Sequence, residues 1–403
     1  PDDWDAGAIA VGNQEPLSCQ REDGRLVVLV TVPAYALVTL QKASGTPAPA
    51  TSTSPFVLEN DSVRYEFGPD GTLQRCFDKE LHRELLTSGK PANVLTLYED
   101  RPNDWDAWDI DAAYQSTPLE TARVINTETL ASGPVRCGIR FTCRIGRSRI
   151  TQTARLTRHS RRLDFETTVD WQEKHRMLRV SFPTNIHAEQ ASFDIQYGFL
   201  KRSTHQNTSW EQAKFEVAGH RYADLSDGEY GVALLNDSKY GYRVADGLLD
   251  LNLLRAPNYP DPDADQGEHH FTYSFLPHPG ALVHSMVIAE AARLNQALLI
   301  LNGVRTNCCT LPVRLAGDGV SLEVIKKAEK ESCLIIRIVE THGQHSTGRL
   351  ETDLPDARLQ ETDLMEWAVG RTLLADKPVE LKMTPFEIWT YKLKYGMPNS
   401  LGE

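Results

Sequence analysis

The chain has 403 residues, 40% of them hydrophobic and 24% charged, as in an ordinary soluble globular protein of more than one domain. Lys and Arg number 43 against 55 Asp and Glu, a net charge of −12. That balance argues against a nucleic-acid partner or an anionic membrane surface, because phosphate recognition rests on Lys and Arg. No apolar run approaches the roughly 18 residues of a membrane span, so no membrane partner is expected.

From the N-terminus, Leu26–Val32 is β-branched and ends at Pro33, which predicts a strand. Residues 42–55 are mostly Ser, Thr, Pro and Ala, with Lys42 and Gly45 and no apolar anchor, and read as a connector. Val63, Tyr65 and Phe67 then alternate with Arg64 and Glu66, the period of a half-buried strand. The turn Pro69-Asp-Gly71 and a second strand into Phe77 complete a hairpin. Further strands are predicted at 135–144, 150–156, 162–171, 178–182, 231–236, 241–245, 248–254 and 269–276. Ala289–Ala297 is the one short helical candidate. Beyond it, 321–327, 333–340 and 384–393 read as strands of a smaller terminal sheet, and 342–358 as a long polar loop. Short strands at this spacing indicate sandwiches rather than α/β units. The expected parts are an N-terminal β region at 1–41, the connector at 42–55, a large sandwich at 56–297 and a smaller one at 298–403.

Seven scattered cysteines do not form a disulfide framework, and no C-x-x-C pair suggests structural zinc. Reduced thiols point to the cytoplasm. The sequons at Asn60, Asn207 and Asn236 follow no signal-peptide pattern and read as chance matches. No G-x-S-x-G, H-E-x-x-H, P-loop or G-x-G-x-x-G motif is present.

Two stretches carry candidate chemistry. The first runs from Tyr98 to Asp111 and holds Trp105 and Trp108 among Glu99, Asp100, Asp104, Asp106, Asp109 and Asp111. Asp and Pro make it a loop, and two large rings in a polar loop suit a pyranose. The rings stack on the C–H face of the sugar and the carboxylates accept its hydroxyls. The competing reading is a structural loop whose rings plug a core edge. The second stretch runs from Leu253 to Phe271. Asp261, Asp263 and Asp265 open like a calcium loop, but Gly267 falls one position late and Thr272 stands where a Glu is needed. Arg255 closes an apolar strand, where it either reaches a ligand or pairs with a loop carboxylate. His269 and His270 are adjacent and face opposite sides of a strand.

As a set these motifs resemble the C-terminal β portion of a glycoside hydrolase family 38 α-mannosidase, of the bacterial, fungal and cytosolic branch. The resemblance rests on Val57–Phe67 with Phe77–Glu80, the Tyr98–Asp111 loop and Val169–His175. It continues through Gln196-Tyr-Gly198, Thr204–Trp210, Tyr230–Tyr242, Leu254–Pro257 and Pro385–Ile388, spanning residues 15–393. It implies a retaining, zinc-dependent enzyme that removes terminal α-linked mannose from a mannoside or glycan. In that family an Asp nucleophile, a second carboxyl and a zinc held by two His and two Asp sit in an N-terminal α/β barrel and the helical segment after it. None of the twelve histidines here begins a His-x-Asp. The expectation is therefore a β superdomain without its catalytic domain, with no catalytic residue and no metal ligand in this chain. The first residue, Pro1, fits a fragment or a processed product.

The implied fold class is all-β: a large double-layered, galactose-mutarotase-like supersandwich flanked by smaller β-sandwich regions. By position, Trp105, Trp108, Asp109 and Arg255 resemble the family's contributions to the sugar pocket, with Asp265 and His269 behind them. An apolar face left by the missing barrel implies self-association. Two other readings compete. One is an autonomous, non-catalytic carbohydrate-binding module using Trp105 and Trp108. The other is an epimerase using His205 or His269 with Asp265.

Overall fold

The computed structural model describes residues 7–12, 14–45, 55–130, 132–303 and 311–396. The fold is all-β, as expected. Two compact units divide the chain: one takes in the described parts of 1–30, 40–195 and 200–302, the other those of 31–39, 196–199 and 303–403.

The two largest sheets of the larger unit are antiparallel. One has nine strands in the order Arg123–Thr129, Arg136–Ile145, Ser148–Thr157, Leu163–Trp171, Gly267–Pro279, Tyr230–Asn236, Tyr222–Ser226, Gln190–Ile195 and Gly198–Ser203. The other has six, in the order Pro118–Thr121, Val94–Glu99, Arg176–Pro183, Leu248–Leu254, Gly241–Ala245 and Val217–Ala218. Strand Leu163–Trp171 shows how sequence makes this layer. Leu163, Phe165, Val169 and Trp171 are fully buried, while Asp164, Glu166 and Asp170 point away. The period of two places every apolar side chain on one face. Phe182 of the six-stranded sheet stacks on Phe275 of the nine-stranded sheet with centroids 5.1 Å apart, so the core lies between the layers.

The N-terminal residues belong to this unit through specific bonds. Hairpin Cys19–Glu22 with Arg25–Val28 lays the buried Glu22 against Arg136 (2.8 Å) and Arg155. Gln20 Oε1 accepts from the amides of Val135 and Arg136. The strand expected over 26–32 is thus shorter. Residues 42 and 43, placed in the connector from composition, close strand Leu40–Ala43, which pairs with Ala8–Val11. Residues 46–54 of the connector lie outside the described residues.

The second unit packs a five-stranded sheet and a three-stranded sheet around Ile336, Ile338, Leu359, Leu381 and Leu393. Here the expected loop at 342–358 is wrong. Ser346–Thr352 is the central strand of the three-stranded sheet, paired with both Val313–Ala316 and Val379–Met383. Its pairing comes from two distant segments, which no local pattern announces. The helical candidate near 289–297 does form, as Val287–Asn295.

Candidate functional site

Three strand ends meet at one end of the six-stranded sheet. Arg176 pairs with Glu99, and Leu178 pairs with both Leu97 and Leu254. The sheet thereby gathers the segment after Glu99, the segment before Arg176 and the segment after Leu254. The first and third are the two stretches picked out in the sequence.

Their bases are locked together. Asp100 is buried and takes a forked pair of bonds from Arg255, at 2.6 Å and 2.9 Å. Arg255 thus makes the pairing with a loop carboxylate that its place at a strand end allows. Its carbonyl also accepts from the indole N–H of buried Trp171 (3.2 Å). His175 joins the same knot through its backbone: its carbonyl accepts from Asp100 N (3.0 Å) and its amide donates to Ala256 O (2.9 Å). Further out, Asp106 Oδ2 accepts from Asn258 N (3.2 Å) and lies 3.6 Å from His175 Nδ1.

Above this base sit three exposed rings. Trp105 and Trp108 are 61% and 68% exposed, and Tyr259 joins them at 55%. Centroids are 6.2 Å apart for Trp105–Trp108, 6.2 Å for Trp105–Tyr259 and 6.4 Å for Trp108–Tyr259. The two tryptophans meet edge to face at 79°. Trp105 reaches this position with a left-handed backbone, φ 59°, and its carbonyl accepts from both Trp108 N and Asp109 N. The loop end is fixed by Asp111, which caps the 3-10 helix Ala112–Ser116. There Tyr114 donates to Glu216 (3.1 Å) and lies under the Arg179 guanidinium, 5.0 Å from its ring centroid. Burial opposes the charge on Arg179, but Asp250 and Glu216 overcome it and hold the group above the usual guanidinium range.

The other expected residues fall at different places. Asp109 is exposed, and its carboxylate accepts from the next amide, Ile110 N. Asp265 is exposed, and its carbonyl, not its carboxylate, meets His269 Nε2 at 2.7 Å. Its charge acts on Lys239, whose pKa burial nevertheless lowers. His270 turns the other way, to Thr168 and Glu268. His205 lies 3.4 Å from Glu211 in a helix-capping turn. Neither histidine forms the imidazole–Asp265 couple that an epimerase reading needs. Sequence reasoning brought together Trp105 and Trp108 but missed Tyr259, Asp106, Asn258 and His175. Tyr259 carried one usable signal, an aromatic between prolines in a loop of aspartates. A cavity of about 270 Å³ lined by Asn93, Phe141, Cys143 and Gln152 contains none of the expected residues.

Among the described residues, thiol chemistry has no support. Cys19, Cys76, Cys137, Cys143 and Cys333 are buried, and burial raises each thiol, that of Cys143 up to about 11. Cys308 and Cys309 lie outside the described residues. No group of three His, Cys, Asp or Glu side chains among the described residues is placed to hold a metal ion.

Residues 58–263 match the model of the "Glycosyl hydrolases family 38 C-terminal domain", and 319–391 that of the "Glycosyl hydrolases family 38 C-terminal beta sandwich domain". The chain belongs to glycosyl hydrolase family 38. Alpha-mannosidase 2C1 of Mus musculus is 36% identical over 395 residues, covering 91% of this chain and 38% of the mouse protein. Alpha-mannosidase G of Dictyostelium discoideum is 33% identical over 376 residues, 88% of this chain and 34% of that protein. The chain thus spans little more than a third of these relatives. Among solved structures, a family 38 protein from Enterococcus faecalis superposes with a TM-score of 0.73 at 17% identity, over 96% of this chain and 52% of that one. That likeness speaks to the fold of this family 38 chain.

Proposed function

We propose that this chain is the β portion of a retaining, zinc-dependent α-mannosidase that removes terminal α-linked mannose, and that its zinc ligands and nucleophile lie outside these residues. In this reading it supports a catalytic barrel and lends the Trp105, Trp108 and Tyr259 rings to the wall of the mannose pocket, with Asp109 at its rim. The observation that carries the reading is the exposed ring cluster beside carboxylates, on loops clamped at their bases, in a chain of this family. Exposed rings offer the C–H face of a sugar a surface, and loop carboxylates suit its hydroxyls. The cytoplasm is the proposed location, since every described cysteine is a free thiol.

A test uses an aryl α-mannoside with added zinc. The 403-residue chain is expected to give no turnover, and turnover blocked by a chelator would refute the proposal. The exposure of all three rings also favours a second reading, a carbohydrate-binding module that works alone. Calorimetric titration of the chain with a methyl α-mannoside separates the two: binding by the chain alone supports the module.

A further inference from the structure

His175 is absorbed neither by the core nor by the ring cluster. Its Nδ1 is buried with no hydrogen-bond partner, and so is Oδ1 of Asn258. Both residues flank Asp106: Asn258 donates its amide to Asp106 Oδ2, and His175 Nδ1 stands 3.6 Å from the same oxygen. The histidine backbone is held at φ 51°, with its N–H and C=O bonded to Ala256 and Asp100. The imidazole is therefore anchored at its root, with Nδ1 left unpartnered. The neighbouring charges are otherwise engaged. Asp100 pairs with Arg255. Arg176 donates to the His175 carbonyl and faces Glu99 at 3.6 Å. Lys174 reaches Asp263. Asp106 is the charge that faces Nδ1, and it lies in the chain between Trp105 and Trp108.

We infer that His175 is a positioning residue that draws in Asp106 and so sets the arrangement of the Trp105–Trp108 rings according to pH. A neutral imidazole leaves the 3.6 Å gap. A protonated one carries an N–H and a positive charge toward the carboxylate, and a closure of well under about 1 Å makes a charge-assisted hydrogen bond. The pairing strengthens as pH falls and relaxes as pH rises. The link to mannose recognition rests on the function proposed above; the link between His175 and the rings does not.

The test labels the chain with 5-fluorotryptophan and assigns Trp105 and Trp108 with W105F and W108F. The two ¹⁹F resonances are expected to shift between about pH 8 and pH 5 in the native sequence. They should stay fixed in His175→Gln and in Asp106→Asn. Resonances that do not move in the native chain, or that move equally in the variants, would overturn the inference. If His175→Gln does not fold, Asp106→Asn decides alone. Ring movement leaves this inference standing whether or not the chain alone binds a mannoside, a result that bears only on the two functions weighed above. Binding without ring movement would overturn this inference and favour the binding module.

Discussion

Asp100 shows how far one side chain can be from what its neighbours in sequence suggest. It sits in a run of carboxylates that composition marks as solvated, yet it is 4% exposed and binds Arg255 through both oxygens. Removing one partner of such a pair strands the other charge away from water. Asp100→Asn is expected to lower stability by about 3 kcal/mol in urea unfolding. Arg255→Lys, which keeps charge but loses the fork, should cost about 1 kcal/mol. A larger loss from the lysine variant than from Asp100→Asn would show that the Arg255 guanidinium holds the loops through contacts other than its pair with Asp100. Sequence could place Arg255 at a strand end but could not select its partner, which lies 155 positions away and is chosen by strand register. Trp105 and Trp108 were legible because large rings in a loop of aspartates have no core to enter. Tyr259 and His175 were not, since each matters only once the loops have met.

Turns and strands differ in how openly the sequence states them. The turn between Tyr222–Ser226 and Tyr230–Asn236 carries its own instructions: Asp227 accepts from the amides of Glu229 and Tyr230, and Gly228 takes φ 98°. Burial alone would raise the Asp227 carboxyl, but those two amides and Arg83 more than offset it and hold it below the usual carboxylate range. A carboxyl whose folded pKa is depressed adds stability that is complete above its unfolded value. That stability is lost as pH falls through the lowered folded value. Asp227→Asn should therefore reduce Tm at neutral pH, and the gap from the native chain should close in acid. A gap that stays constant in melts across that range would show that the charge plays no part. Some strands were equally legible: Gly241–Ala245 and Leu248–Leu254 fall within the expected bounds. Ala368–Leu374 was not foreseen, because nearly all its residues are exposed and no alternation marks it. Its place comes from pairing with Arg358–Thr362.

At the scale of the chain, the surface bears on the partner question. Leu298, Leu299, Ile300 and Leu301 follow one another more than half exposed, with Leu299 at 83%. Four consecutive aliphatic side chains in water favour burial against another surface. Sedimentation of the isolated chain is expected to show association that rises with concentration. Leu299→Asp with Ile300→Asp should shift it toward monomer. Unchanged sedimentation would place the association elsewhere. No helix among the described residues is long and apolar enough to cross a membrane. The all-β architecture was legible because many short alternating strands admit few other folds, and family membership because ordered motifs run through both units. Chain division was less so: composition puts a boundary at 42–55, whereas Gln20 and Glu22 bind strands more than a hundred residues later.

That stitch has a practical consequence for anyone trimming the polypeptide. Beginning a shorter version at residue 56, where the low-complexity segment ends, would strip Arg136 and Arg155 of the Glu22 carboxylate that both hold. Two guanidinium groups would face an emptied groove, and the apparently dispensable leader would prove to be a missing counter-ion.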